Sequence, residues 1–277
     1  GTVKSSTKIA SGTNGGPTLA DFDGFGRSVT SLGDLNGDGI NDLAVGARGD
    51  DTDGDRRGAV YVLLLDVDQD GTVTVKSSTK IASGTNGGPT LANVDYFGSS
   101  VTSVGDLNGD GINDLAVGAT GDDTGGSSRG AVHVLLLNSD GTVKSSTKIA
   151  SGTSSGQTLA DGDLFGSSVA SVGDLDGDGV ADLAVGATGD DTDGTNRGAV
   201  YVLLMNADGS VKSSTKIAHE TNGGPKLANY DLFGSSVAAV GDLDGDGVAD
   251  LAVGAYVDDT GGSSRGAVHV LLLNSDG

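Results

Sequence analysis

The chain has 277 residues, including 50 glycines and only three prolines, five Phe, five Tyr and no Trp. So few large side chains exclude a helical bundle packed on bulky residues, and glycines without a three-residue period exclude collagen. With 38 acidic and 16 basic residues, the net charge is −22. This charge argues against nucleic acid and anionic membranes as partners. No apolar run reaches the ~20 residues that span a bilayer, so we expect no direct membrane insertion.

The chain opens on a segment that returns later in the sequence. The hexapeptide at 1–6 is the same as that at 141–146. We therefore expect residues 1–13 to supply an outer strand that completes a neighbouring unit or the last one. We also expect the chain to be an excerpt of a longer array.

Four copies of one sequence unit follow this opening segment. The stretch beginning at Asp34 recurs at Asp106, Asp174 and Asp242. Such self-similarity predicts a repeat architecture over 1–277. Alternate copies resemble each other most, since the first and third contain A-V-Y-V and the second and fourth A-V-H-V. The predicted repeats span 24–85, 96–153, 164–221 and 232–277.

Each copy predicts four short strands. In the second copy the first strand, 97–105, is rich in small residues, as a crowded inner strand would be. The second, 114–119, has one apolar face, and the third, 131–137, is apolar on both faces, as in a strand between two layers. The fourth, 142–150, alternates with lysines on one side, which suits an exposed sheet edge. No segment has a capped helical period, so we expect essentially no α-helix.

Tandem four-stranded units with a small inner strand and a polar outer strand are typical of β-propeller blades. We therefore predict an all-β fold: a β-propeller of four-stranded antiparallel blades, either complete or part of a larger ring or array. Residues 2–10 could complete the last blade and close the ring. A linear stack of sheets is the structural alternative.

An acidic loop lies between the first and second strands of every copy. It reads D-L-N-G-D-G-I-N-D in the first two copies and D-L-D-G-D-G-V-A-D in the last two. Calcium takes six to eight oxygen ligands, and alternating short acidic side chains can surround it. Positions one, three, five and nine offer side-chain oxygens and position seven a backbone carbonyl. The candidate ligands are Asp34, Asn36, Asp38, Ile40, Asp42, Asp106, Asn108, Asp110, Ile112, Asp114, Asp174, Asp176, Asp178, Val180, Asp182, Asp242, Asp244, Asp246, Val248 and Asp250.

Two other calcium motifs do not fit these loops. An EF-hand needs a Glu at position twelve, where this chain has Val45 and its counterparts in the next strand. The calcium β-helix motif recurs without the long spacer present here. Asp and Gly also make good hairpin turns, but four equal loops without an internal base would repel themselves. We expect about four Ca²⁺ ions, one per repeat, bound more tightly in the two loops that hold four carboxylates.

The ordered motifs F-G-S-S-V, G-D-L-(N/D)-G-D-G-x-x-D-L-A-V-G-A and R-G-A-V-(Y/H)-V resemble the FG-GAP repeat of integrin α-subunit propellers and bacterial surface proteins. The resemblance covers all four repeats and implies one blade per repeat with Ca²⁺ in each hairpin loop. The proline of the motif name is replaced by Arg48, Thr120, Thr188 and Tyr256. Integrin propellers also contain more blades than the four repeats present here.

Several short motifs have simpler explanations. Arg48-Gly49-Asp50 spells an integrin-binding tripeptide in one repeat only, so we interpret it as a loop. Gly126 to Gly130 fits G-x-S-x-G, but a strand follows it where a hydrolase needs a helix. His133 replaces a tyrosine of the third strand, so we predict a packing role. The acidic G-D-D-T segments are predicted to be solvated turns, with a repetitive recognition surface or a supplementary cation contact as the alternative. Arginines such as Arg57 could pair with their aspartates.

The leading functional hypothesis is a non-enzymatic, extracellular calcium-binding propeller that serves adhesion, interaction or architecture in a larger surface or secreted protein. Its ligand would be a protein or a glycan. A second hypothesis is a structural repeat protein that self-associates into a filament or multi-chain ring. A third is an accessory domain of a secreted hydrolase or lyase. The −22 charge leaves no role for nucleic acid in any of them.

Overall fold

The computed structural model describes residues 1–153 and 156–277. Within these ranges it contains β-strands and no α-helix, so no described helix is long and apolar enough to cross a membrane. The strands are β1 (Phe25–Gly33), β2 (Asp42–Ala47), β3 (Ala59–Val67), β4 (Val73–Ala82), β5 (Phe97–Gly105), β6 (Asp114–Ala119), β7 (Ala131–Leu137), β8 (Val143–Ala150), β9 (Phe165–Gly173), β10 (Asp182–Ala187), β11 (Ala199–Met205), β12 (Val211–Ile217), β13 (Phe233–Gly241), β14 (Asp250–Ala255) and β15 (Ala267–Leu271).

Each repeat forms its own antiparallel sheet, which we call a blade. Blades 1 to 3 have four strands in sequence order, β1 to β4, β5 to β8 and β9 to β12. Blade 4 has three, β13 to β15. The predicted all-β fold of antiparallel, propeller-like blades is confirmed, and the predicted strand limits in the second repeat agree to within one residue.

The outer strand of blade 4 differs from the expectation. Residues 1–9 lie outside every strand, and Ala10 makes only an isolated bridge to Thr13. The segment 2–10 therefore does not pair with β15 in this structure. The segment is held near blade 1 instead, because Ile9 and Leu19 pack against the apolar cluster of that blade.

The Phe-Gly pair that begins each blade has a packing reason, which blade 2 shows. Phe97 is fully buried and stacks edge to face on His133, with ring centroids 5.5 Å apart. Gly98 has φ of 88°, and a Cβ there would lie 2.4 Å from the carbonyl oxygen of Ala59 in blade 1. Only glycine allows this approach, and the register shift between Phe97 and Ser100 begins at the same point.

Neighbouring blades pack face to face through apolar side chains from all their strands. The cluster between blades 2 and 3 includes Val132, Val134 and Leu136 on one side and Leu183 and Val185 on the other. Serine side chains add hydrogen bonds between blades. Ser100 Oγ donates to the carbonyl of Gly166 at 2.8 Å, and Ser168 Oγ donates to that of Gly234 at 2.8 Å.

The first strands of the blades face a shared centre. One cavity is lined by all four blades, through residues that include Arg48, Thr120, Thr188 and Tyr256. These four residues stand where the motif name has proline. The blades are therefore arranged side by side about a common axis, and the acidic loops lie at the ends of the strands that surround it.

Candidate metal centre

The acidic loop of blade 3 is folded around its first carboxylate. Asp174 Oδ1 accepts hydrogen bonds from the backbone N–H groups of Gly177 at 2.7 Å and Asp178 at 3.0 Å. Its Oδ2 accepts one from Gly179 at 2.8 Å. Gly177 and Gly179 have φ of 79° and 88°, which glycine adopts without strain. The loop is thus curled before any ion is considered, with its polar side chains turned inwards.

The last carboxylate of the loop anchors it to the sheet. Asp182 is 1% exposed. Its Oδ2 accepts the N–H of Leu175 and its Oδ1 the N–H of Met205, both at 2.8 Å. The first bond closes the loop and the second ties it to β11. The equivalent carboxylates Asp42, Asp114 and Asp250 make the same pair of bonds.

Burial and neighbouring acids disfavour the ionised form of three of these anchors, Asp42, Asp114 and Asp182. Burial raises the pKa of Asp114 to about 6, against the opposing effect of its two backbone hydrogen bonds. Burial likewise raises the pKa of Asp42 and Asp182. A nearby cation would relieve this cost, because it favours the ionised carboxylate.

Carboxylate oxygens converge in the last two loops. Ligand atoms of Asp174, Asp176 and Asp182 lie within 4.8 Å of one another, as do those of Asp242, Asp244 and Asp250. Two oxygens on opposite sides of one Ca²⁺, each at about 2.3–2.6 Å, are about 5 Å apart at most. The spacing therefore fits a single hard cation.

The first two loops have the same backbone arrangement, with asparagine at position three. Asp106 accepts the N–H groups of Gly109, Asp110 and Gly111, as Asp174 does in blade 3. Among the described residues, the side-chain nitrogens of Asn36 and Asn108 are buried without a hydrogen-bond partner. Asn108 Oδ1 accepts the N–H of Asp110 at 3.0 Å, so the loop backbone orients this amide. Both loops offer the carboxylates of positions one, five and nine to an ion, and ligation through the asparagine oxygen stays a prediction.

The residue at position seven packs its side chain into the blade. Ile112, Val180 and Val248 are partly buried against the clusters between blades, and Ile40 against that of blade 1. Their side chains point to the core, so each residue has only its backbone carbonyl to offer an ion. All 20 candidate ligands thus lie in four equivalent hairpin loops, and the ligand set itself stays a prediction.

Outer-strand lysines reach the acidic loops, which the sequence reasoning did not anticipate. Lys76 pairs with Asp38 at 3.3 Å, Lys144 with Asp110 at 2.9 Å, and Lys212 with Asp178 at 3.0 Å. The lysine hydrogen bond lowers the pKa of Asp110 and Asp178. The signal was present in the alternation of the fourth strand, which we interpreted only as edge protection. The carboxylate at position five of these three loops is therefore paired with a lysine in the structure.

A second buried carboxylate follows β2 and its counterparts. Asp50 is 1% exposed, pairs with Lys80 at 2.6 Å and accepts a hydrogen bond from the Tyr61 hydroxyl at 3.1 Å. The pairing of these aspartates with Arg57 and its equivalents was wrong. Arg57 instead donates to Asn93 at 3.1 Å, because its side chain reaches across to the segment that leads into blade 2. The buried Asp50 also makes the Arg48-Gly49-Asp50 tripeptide unsuitable as an exposed adhesion ligand.

The predicted packing role of His133 is confirmed. It is 1% exposed, and burial lowers its pKa to about 4, so the ring is neutral at pH 7. It occupies the place that Tyr61 and Tyr201 take in blades 1 and 3, edge to face with the phenylalanine of the Phe-Gly pair.

Antiparallel blades about one axis, each with an acidic hairpin between its first two strands, define a propeller-like repeat protein. The chain belongs to the FG-GAP repeat family, whose pattern matches residues 25–63, 97–135, 165–203 and 233–271. Each match runs from the first strand of a blade into the third. The FG-GAP resemblance of the sequence is therefore confirmed.

Integrin α subunits are among the relatives of this chain. It is 34% identical to integrin alpha-4 of Xenopus laevis over 170 residues, which cover 60% of this chain and 15% of that protein. It is 35% identical to integrin alpha-PS5 of Drosophila melanogaster over 162 residues, 58% of this chain and 15% of that protein. With integrin alpha pat-2 of Caenorhabditis elegans, identity is 31% over 251 residues, covering 85% of this chain and 18% of the relative. The chain thus spans less than a fifth of the length of these relatives.

Proposed function

We propose that this protein is a non-enzymatic calcium-binding interaction module that works outside the cell. The observation that carries the proposal is the convergence of carboxylate oxygens within 4.8 Å in the loops of blades 3 and 4. Three or four carboxylates gathered in one short loop repel each other, and a bound divalent cation removes that repulsion.

Calcium would stabilise the fold through its loops. Asp182 and its counterparts join the loop to the third strand, so an ion held by the loop also favours the folded sheet. Bound calcium would supply positive charge where this chain of net charge −22 concentrates its acids. Submillimolar to millimolar extracellular calcium suits such sites, whereas the resting cytosol does not. We expect about four ions per chain.

An adhesion or interaction role is supported by the integrin α subunits among the relatives. The shared region is the repeat region, so the proposal concerns a recognition or architectural module and its protein or glycan ligand. The side chains of the acidic loops are committed to backbone amides, lysines and a candidate ion. Their chemistry is that of a structural cation site, which supports a non-enzymatic role.

Calorimetric titration with CaCl₂ tests the proposal. We expect about four binding events and a rise in thermal stability that EDTA reverses. Asp176→Ala and Asp244→Ala should each remove one event, because each carboxylate belongs to one cluster. Asp193→Asn, an exposed change outside the loops, is the matched control. Unchanged stability on adding EDTA, with no heat of binding, would refute the calcium function.

A further inference from the structure

The central cavity is surrounded by residues that are equivalent in the four repeats. Its volume is about 320 Å³, at the lower end of the range in which proteins bind small ligands. One set of lining residues is the third residue of each first strand: Arg27, Ser99, Ser167 and Ser235. The other set is the residue that follows each second strand: Arg48, Thr120, Thr188 and Tyr256. A difference between repeats at either position therefore changes the chemistry of one shared space.

Blade 1 departs from the other repeats at both of these positions. It reads F-G-R-S-V at 25–29, where the other three repeats read F-G-S-S-V. It reads G-A-R-G-D at 46–50, where the second and third repeats read G-A-T-G-D. Two neutral hydroxyl groups are thus replaced by two guanidinium groups on the same wall of the cavity. Because like charges repel, an anion held between them would be favourable.

The two arginines of the cavity keep their hydrogen-bond donors for a ligand. Arg27 and Arg48 are exposed, and among the described residues neither takes part in an ion pair. The guanidinium carbon of Arg48 lies 5.6 Å from the centre of the Tyr96 ring, which orients the side chain without using its N–H groups. The neighbouring Asp50 is already paired with Lys80 at 2.6 Å. Guanidinium groups in such a setting suit a carboxylate, which they bind through two parallel hydrogen bonds.

The hydroxyl groups that blades 2 and 3 contribute can only accept further hydrogen bonds. Ser99 Oγ donates to the carbonyl of Tyr96 at 2.7 Å and lies 3.2 Å from Thr120 Oγ1. Since a hydroxyl has one proton, Thr120 must be the donor in the second contact. Ser167 and Thr188 make the same pair of contacts, at 2.6 Å and 3.0 Å. The protons of all four hydroxyls are therefore in use, and their remaining lone pairs suit the O–H groups of a ligand.

The large negative charge of the chain does not cancel the charge of the two arginines. Arg27 lies near the start of β1 and Arg48 directly after β2, whereas the acidic loop joins the opposite ends of these strands. Arg48 is six residues beyond Asp42 along an extended strand, a distance of about 20 Å. This is more than twice the Debye length of ~8 Å at physiological ionic strength, so the loop charges are largely screened at the cavity. The cavity can therefore bind a single acidic group, although the chain as a whole repels polyanions such as nucleic acid.

We propose that the central cavity binds a uronic acid residue of an acidic glycan. The sugar carboxylate pairs with Arg27 and Arg48, and the sugar hydroxyls donate to the lone pairs of Thr120 and Thr188. Tyr256, which is 64% exposed, offers its aromatic ring to the apolar face of the sugar. A simple anion or an acidic peptide side chain has no O–H group and leaves the threonine acceptors unmatched. The assignment gives a ligand class to the interaction role proposed above and rests on that role.

Titration of the full chain with methyl β-D-glucuronide, followed by ligand-observed NMR in saturating CaCl₂, tests the assignment. We expect saturable binding, with methyl β-D-glucoside and sodium acetate each bound at least about tenfold more weakly, because one lacks the carboxylate and the other the hydroxyls. Arg27→Ser/Arg48→Thr gives blade 1 the residues of blades 2 and 3, so the fold should be retained. This double variant should bind the glucuronide at least about tenfold more weakly. Lys226→Ser/Arg265→Ser removes two exposed positive charges outside the cavity and should bind it as the wild type does.

A second variant separates a sugar site from a general anion site. Thr120→Val/Thr188→Val should weaken glucuronide binding severalfold and leave acetate binding unchanged, because it removes only hydroxyl acceptors. The proposal is overturned if the glucuronide does not bind saturably, or if Arg27→Ser/Arg48→Thr binds it as the wild type does. It is also overturned if N-acetyl-aspartate amide binds as tightly as the glucuronide, since that result assigns the cavity to an acidic peptide. A chain that binds CaCl₂ by calorimetry but not the glucuronide keeps its calcium function and loses only this ligand, whereas glucuronide binding that persists without any calcium binding gives the reverse result.

Discussion

The anchoring carboxylate of the acidic loop should stabilise the fold even without calcium. Asp182→Ala leaves the buried N–H groups of Leu175 and Met205 without the acceptors they meet at 2.8 Å. Each unsatisfied buried donor costs about 1–3 kcal/mol, or about 2–6 kcal/mol for two. Removing a carboxylate whose pKa is raised by burial offsets part of this loss. We expect a net destabilisation of about 2–4 kcal/mol in EDTA.

Asp178→Ala is the matched variant from the same loop. Asp178 is exposed and accepts one backbone hydrogen bond, from Val180 at 2.8 Å. Its loss should cost less than about 1 kcal/mol in EDTA. In saturating calcium both variants should lose the added stabilisation of this loop, which is about 2.7 kcal/mol at a hundredfold excess over the dissociation constant.

Urea unfolding followed by far-ultraviolet circular dichroism measures both variants in EDTA and in calcium. The expected order in EDTA is wild type, then Asp178→Ala, then Asp182→Ala with a clearly lower midpoint. If Asp182→Ala and Asp178→Ala unfold at the same urea concentration in EDTA, Asp182 is not an anchor and its role is confined to the ion.

Three further outcomes follow from the contacts described above. Lys212→Ala should raise the calcium affinity of the blade 3 loop severalfold by calorimetry, because Lys212 bridges Asp176 and Asp178; unchanged affinity would show that the lysine does not compete. Burial raises the pKa of Asp163 from 3.8 to about 6, so this residue contributes stability below about pH 4 that is lost as the pH rises through about 6. Between pH 4 and pH 7, the free energy of unfolding of Asp163→Asn should therefore rise by about 3 kcal/mol relative to that of the wild type, as measured by urea unfolding. A difference between the two proteins that does not change with pH would contradict the raised pKa. Gly186→Ala should destabilise by about 1–3 kcal/mol because its Cβ would lie 2.0 Å from the Gly234 carbonyl oxygen. At the equivalent Gly254, the nearest atoms to an added Cβ belong to the side chains of Ser236 and Ser235. Gly254→Ala should therefore lower the thermal stability less than Gly186→Ala, and equal losses of stability would contradict this reasoning.

The sequence alone predicted the blades well because each strand carries a local signal. The run 131–137 is apolar on both faces, and all of β7 is buried between two layers. The alternation in 142–150 likewise placed β8 at a sheet edge. The spacing of the acidic loops also predicted their position between the first two strands, since a nine-residue hairpin leaves little freedom in its backbone.

Contacts between blades were harder to predict. Arg57 was assigned to the aspartates near it in sequence, but it bonds Asn93, which lies beyond two further strands. Lys80 and Asp50 are likewise separated by β3. Such pairs depend on the register of neighbouring strands, which single residues do not encode. Residues 2–10 have the sequence of a fourth strand, and this sequence suits the third-strand edge of every blade. The sequence therefore does not specify which edge the segment pairs with.

The sameness of V-K-S-S-T-K-I-A at four places in the chain has a consequence for folding. Each nascent third strand accepts any of these segments with nearly the same side-chain contacts, so sequence gives little discrimination between correct and exchanged pairings. The discrimination must therefore come from the short turn between the third and fourth strands, which holds the correct segment at a high local concentration. Lengthening the Asn138 to Thr142 turn should therefore slow productive refolding and increase misassembled chains, the characteristic hazard of repeat proteins whose neighbours are alike.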